Sequence, residues 1–251
     1  GYTMDRLIYT AMTGARHTFL QQAGVAHNLS NASTIGYRSM EHKFRAAPVQ
    51  GEKIAPTRAF VVDASVADTF DQGPMMATGR PLDVAVHGAG WIAVEAPDGN
   101  EAYTRAGNFQ VNVNGQLQTA GGLNVLSDGG PIGIPPDNSI TIAPDGTVSV
   151  VPLYGTPNNT NDVGRIKLVN PPEDQLVRGN DGLFRLKSGQ PADTDENVRL
   201  ATETLEGSNV NPVDAMVNLI TLARQFEMQI KMLQTADANA SKAGQILSMN
   251  R

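Results

Sequence analysis

The chain of 251 residues contains no cysteine. That excludes disulfides, thiolate nucleophiles and cysteine-ligated zinc or iron–sulfur centres. Aromatic residues are scarce at 5%, with one tryptophan, yet the 40% hydrophobic content excludes a wholly disordered chain. No apolar run approaches the ~20 residues that span a bilayer, so no membrane insertion is expected. Clustered Lys and Arg are missing too, and the formal net charge is −6, so no nucleic-acid partner is expected. The opening Gly1-Tyr2-Thr3-Met4-Asp5 has neither the basic nor the apolar stretch of a cleaved secretory signal, and Met4 is a candidate initiator.

What is present is unevenly placed. Residues 1–45 carry five basic and two acidic side chains, residues 205–251 four of each, and the middle ten basic against nineteen acidic. The acidic excess therefore belongs to the centre. In the first thirty residues, Ile8, Met12, Ala15, Phe19, Gln22, Ala26 and Leu29 recur at alternating intervals of four and three, the spacing of a heptad seam. This predicts a helix over 4–29, closed by the polar run Ser30 to Gly36. At the other end Asn211 is a good N-cap, Pro212 suits the first helical position, and Asp214 lies where the dipole favours an anion. Met216, Leu219, Ile220, Ala223, Phe226, Ile230, Leu233, Ala236, Ala240 and Leu247 then continue an apolar stripe, predicting a helix over 212–247.

Between them the grammar is that of hairpins. Asp98-Gly99, Asn114-Gly115, Asp128-Gly129, Asp145-Gly146 and Asp181-Gly182 are turn dipeptides, flanked by apolar alternation such as Leu82–Val86, Trp91–Val94, Phe109–Val113 and Ser139–Ile142. Thr147–Val151, Arg165–Val169 and Leu183–Lys187 are further candidate strands, Pro152–Gly164 reads as a polar loop, and strand is expected around Phe60–Val66. The expected class is α+β: long N- and C-terminal helices pairing as a coiled-coil-like layer, with a central, mainly antiparallel β-domain. The divisions are 1–45 (helix and loop), 46–77 (extended connector), 78–204 (β-domain) and 205–251 (helix). From pattern alone, the two stripes either complete the core of the β-domain or pair with each other and with other chains.

No constellation argues for catalysis. His17, His27, His42 and His87 are dispersed and share no metal-ligand spacing, so a polar surface or interface role is the better reading. His87-Gly88-Ala89-Gly90 contains a GxG, but a strand follows it and not a helix N-terminus. Asp195-Glu196 and Glu173-Asp174 lie in polar stretches and read as solvated carboxylates, not a glycosidase pair. No enzyme activity, cofactor, metal or catalytic residue is expected. A glycan-binding or glycan-cleaving periplasmic β-domain is the remote alternative.

Several strings do carry a resemblance. Ala26-His27-Asn28-Leu29-Ser30-Asn31-Ala32-Ser33-Thr34-Ile35-Gly36-Tyr37-Arg38 is similar to the ANNLANxxTxGF signature of bacterial flagellar rod and hook proteins, with His27, Ser30 and Tyr37 as mild departures. Gly79–Val86 with Gly88–Trp91, Tyr103–Phe109, Leu205–Pro212 and Arg224–Gln229 resemble further strings of that family, in the same order along nearly the whole chain. The opening Met4–Met12 and the Glu206–Val213 run favour the proximal-rod type over the distal-rod type.

The resemblance implies a structural subunit of the rod that crosses the periplasm. It would be exported by the flagellar type III apparatus without a cleaved signal, and would assemble helically with copies of itself and with proximal and distal rod subunits. The expected assembly interface is Ile8, Met12, Ala15, Phe19, Ala26 and Leu29 on the first helix, with Met216, Ile220, Ala223, Phe226, Ile230 and Leu233 on the second. The family signature is carried by Asn28, Leu29, Asn31, Thr34, Gly36, Tyr37, Ser208, Asn209 and Val210.

Overall fold

The computed structural model describes residues 2–48, 60–155 and 159–250. It divides into two compact units. One comprises the described parts of Gly1–Ala32, Ser39–Thr69 and Val210–Arg251, the other Ser33–Arg38 with Phe70–Asn209. Residues 49–59 of the expected connector and 156–158 of the expected polar loop lie outside the described residues.

The first unit holds the long helix α1 (Tyr2–Ser30), the strands β1 (Met40–Pro48) and β2 (Phe60–Asp68), and the terminal helix α2 (Pro212–Met249). α2 starts where its capping residues dictate: the Asn211 side chain accepts hydrogen bonds from the N–H groups of Val213 and Asp214, satisfying two donors that have no helical partner. β1 and β2 pair antiparallel from Met40↔Asp68 to Pro48↔Phe60. β2 falls on the strand expected around Phe60–Val66, whereas most of β1 lies in the division 1–45 expected to be helix and loop.

The second unit is built from short antiparallel strands. In chain order they are β3 (Met75–Ala77), β4 (Val84–His87), β5 (Trp91–Glu95), β6 (Glu101–Thr104), β7 (Phe109–Val111), β8 (Leu117–Thr119), β9 (Leu126–Ser127), β10 (Gly130–Pro131), β11 (Asn138–Ile142), β12 (Thr147–Pro152), β13 (Asn161–Arg165), β14 (Leu168–Val169), β15 (Leu176–Arg178), β16 (Phe184–Leu186), β17 (Arg199–Thr202) and β18 (Thr204–Glu206). Five of them form the sheet β14-β5-β6-β16-β15, and β11-β12-β13 form another. The late strands close onto early ones, β17 on β4 and β18 on β3. β13 occupies the end of the stretch expected to be loop, and the expected strand Arg165–Val169 is divided between β13 and β14.

The hydrophobic core lies in this unit and has two parts. Ile92 and Val94 of β5 point into a cluster with Val84, Val86, Phe109, Leu117 and Ile166; Trp91 and Ala93, one position out of phase, enter a second with Tyr103, Leu176 and Phe184. Period-two alternation thus gives β5 two buried faces. Trp91 and Phe184 stand 4.6 Å apart between ring centroids, with Phe70 edge-on to Trp91 at 6.1 Å. Such aromatic pairs add about 0.5–1.5 kcal/mol each beyond the area they bury. Gly107 marks a close crossing of chains: a Cβ there would lie 1.7 Å from the carbonyl oxygen of Val84.

These observations correct the expected class. The fold is not an α+β arrangement with a coiled-coil-like helical layer; it is a β fold with a helix at each end, and its core is β. A heptad seam buries its large apolar residues. Here the buried residues of α1 are Ala11, Ala15, Thr18 and Gly24, and those of α2 are Ala215 and Ala236. The 4-3 spacing is genuine, but its large side chains Met12 and Phe19 face outward.

Candidate assembly surface

The helices expose what a soluble surface ordinarily hides. Met12 and Phe19 on α1 are each 58% exposed, and Met216 and Ile220 on α2 are 52% and 56% exposed. Ala26 is also exposed, Ile8, Leu29, Ala223, Phe226, Ile230 and Leu233 are half-buried, and Ala15 is buried. Of the expected interface residues, Phe19 and Phe226 are brought together, with ring centroids 6.5 Å apart. Leu7, Val213, Val217, Met228, Met232, Ile246, Leu247 and Met249 extend the exposed apolar surface beyond the expected set. Contiguous exposed apolar surface is a general mark of interaction sites. The flexible thioethers of its methionines suit an irregular partner.

The signature residues do local work. Asn28 brackets Met40, its Nδ2 donating to the Met40 carbonyl at 2.7 Å and its Oδ1 accepting from the Met40 N–H at 3.0 Å, which ties the end of α1 to β1. Asn31 donates to the His27 carbonyl, and the Tyr37 N–H reaches the carbonyl of Thr34. Gly36 has φ +70, and a Cβ on it would lie 2.6 Å from the backbone of Arg105 and Ala106. The left-handed turn and the close approach both require glycine.

Within the β unit the two distant strings form one site. The Gly36 N–H donates to the Glu206 carbonyl at 2.8 Å, and the Asn209 N–H donates to the Tyr37 carbonyl at 3.2 Å. Ser208 is buried beside them, and the Asn209 side chain donates to the carbonyl of Asp71. The guanidinium of Arg178 sits 5.3 Å over the Tyr37 ring and donates to the Arg38 carbonyl.

At the centre of this site are three charged residues to which sequence reasoning gave no role. The Glu206 side chain is wholly buried and accepts from Arg38 Nη2 at 3.1 Å and from Arg105 Nε and Nη2 at 2.9 Å each. Arg105 also donates to the carbonyls of Gly88 and Gly90 at 2.7 Å. Burial, with Arg105 close by, lowers the pKa of Arg38 from the usual arginine value, and Glu206 offsets this in part. No local spacing reveals the cluster, because Arg38 and Arg105 precede Glu206 by 168 and 101 residues.

Two family models match the chain: the flagellar hook protein FlgE/F/G D1 domain over residues 85–150, and the flagellar basal body rod FlgEFG protein C-terminal over residues 201–246. Both the flagellar basal-body rod protein FlgF of Salmonella typhimurium and that of Escherichia coli K12 are 45% identical to the chain, across 98% of it and 100% of their own length. The basal-body rod protein FlgG of Agrobacterium fabrum is 34% identical, across 94% of the chain and 97% of its own. With this identity sustained from end to end, the chain belongs to the FlgF family of flagellar basal-body rod proteins.

Proposed function

We propose that this rod subunit works mechanically and not as an enzyme, packing the exposed stripes of α1 and α2 against neighbouring subunits of the rod. As a member of its family it is a structural component of the flagellar basal-body rod. Its neighbours are copies of itself and the other proximal- and distal-rod proteins, in the part of the rod that crosses the periplasm. It reaches them through the flagellar export apparatus, and needs no cofactor. Contacts that join one patch to a different patch, and repeat without closing, generate a helical filament.

The observation that carries this reading is the outward direction of Met12, Phe19, Met216 and Ile220, which leaves more than half of each side chain in water. The experiment is Phe226→Asp in the full chain. Phe226 sits beside Phe19, so a carboxylate there meets an apolar face. The variant should keep a folded β unit, read from the buried Trp91, and should fail to enter rods in basal bodies isolated from cells. Rods of normal composition and normal swimming would refute the assignment of this face.

A further inference from the structure

We propose that Glu206 is a latch for the N-terminal signature: its carboxylate and its backbone hold Ser33–Arg38 in the β unit, so this segment docks only when β18 is in place. Three attachment points of the segment converge on one short stretch of chain, beside the contacts that Arg178 makes with Tyr37 and the Arg38 carbonyl. Gly36 N–H donates to the Glu206 carbonyl at 2.8 Å, Arg38 Nη2 donates to its carboxylate at 3.1 Å, and Asn209 N–H donates to the Tyr37 carbonyl at 3.2 Å.

The carboxylate has an asymmetric set of partners, and the asymmetry makes it a latch. Arg105 belongs to the β unit independently of the segment, through the carbonyls of Gly88 and Gly90. Its guanidinium, with the Gly73 N–H at 3.3 Å, fixes Glu206 independently of Arg38. Arg38 is different. Among the described residues its Nε and Nη1 are buried without a hydrogen-bond partner, so Nη2 and Glu206 carry its capture. A buried guanidinium is stable only while its counter-charge is present. Loss of the Arg38–Glu206 contact therefore favours return of the segment to water, whereas the Arg105–Glu206 pair keeps its other anchors.

The test is amide exchange, read by mass spectrometry on the full chain with Arg38→Gln and Glu206→Gln. In R38Q, peptides covering residues 35–38 should exchange at least about tenfold faster, while peptides from β5 and β6 keep wild-type rates. E206Q should release the same segment. Should E206Q fail to fold, R38Q decides the matter, since it leaves the Arg105–Glu206 pair intact. Wild-type protection of residues 35–38 in R38Q would overturn the proposal. So would a uniform rise across β5 and β6 in R38Q, because the cluster would then be a general support of the core.

Discussion

Replacing Met12, Met216 and Ile220 together by glutamine separates folding from assembly. Glutamine matches methionine as a helix former, so α1 and α2 should persist. The three side chains are 58%, 52% and 56% exposed in the single chain, so their outward halves contribute little to its own stability. Full burial of such a side chain contributes about 1.5–3 kcal/mol, so covering the exposed halves of three gives about 2 to 5 kcal/mol per subunit. That corresponds to roughly one and a half to three and a half powers of ten in subunit affinity. The assay pairs thermal unfolding of the purified chain with swimming in soft agar and electron microscopy of basal bodies. The expected result is a melting temperature within a few degrees of wild type, with rods absent or shortened. Wild-type rods and swimming would refute the reasoning; so would a chain that no longer folds, because those faces would then be supporting the subunit itself.

Two further predictions concern the β unit. Gly36→Ala forces a left-handed residue and places Cβ 2.6 Å from the backbone of Arg105 and Ala106, so it should destabilise docking of the segment by about 2 kcal/mol or more. Faster exchange at residues 35–38 than at β5 would register it, and wild-type rates would count against the close approach. Asp145 and Asp181 have pKa values held below the ordinary carboxylate range, the first chiefly by the Thr147 N–H and the second chiefly by the Arg185 side chain. A lowered folded value stabilises the fold above the unfolded pKa of about 3.9 and loses that contribution as pH falls through the folded value. Both turns should hold at neutral pH and loosen in acid, as followed by the amide signals of Thr147 and Leu183. Titration at or above the ordinary range would exclude these contacts.

The two terminal helices were legible because their information is local: a 4-3 spacing at one end, and Asn211-Pro212 capping at the other. Turn dipeptides marked the hairpins for the same reason. Gly99, Gly115, Gly146 and Gly182 all take positive φ, whereas at Asp128-Gly129 that role shifts one residue on to Gly130. What periodicity could not supply was direction. A stripe shows which residues share a face but not whether that face is covered, and here the small residues Ala11, Ala15 and Gly24 are buried while Met12 and Phe19 are not. Of the β1–β2 hairpin, β2 was legible around Phe60–Val66, while β1, Met40–Pro48, was not expected as a strand. The Glu206 cluster escaped because arginines at 38 and 105 signal nothing about a glutamate at 206 until the chain has folded.

The pairing of β17 with β4 and of β18 with β3 also has a kinetic meaning. These partners lie roughly 110 to 130 residues apart, so each closure confines a long loop before any contact offsets the cost. A chain extended from its N-terminus presents β3 and β4 as uncovered edges until residues 199–206 arrive. Fragments that stop short of that point have no partner for either strand, and refolding of the whole chain should be slow on the scale of its helices. Completion of the domain is thereby timed by the last part of it to appear.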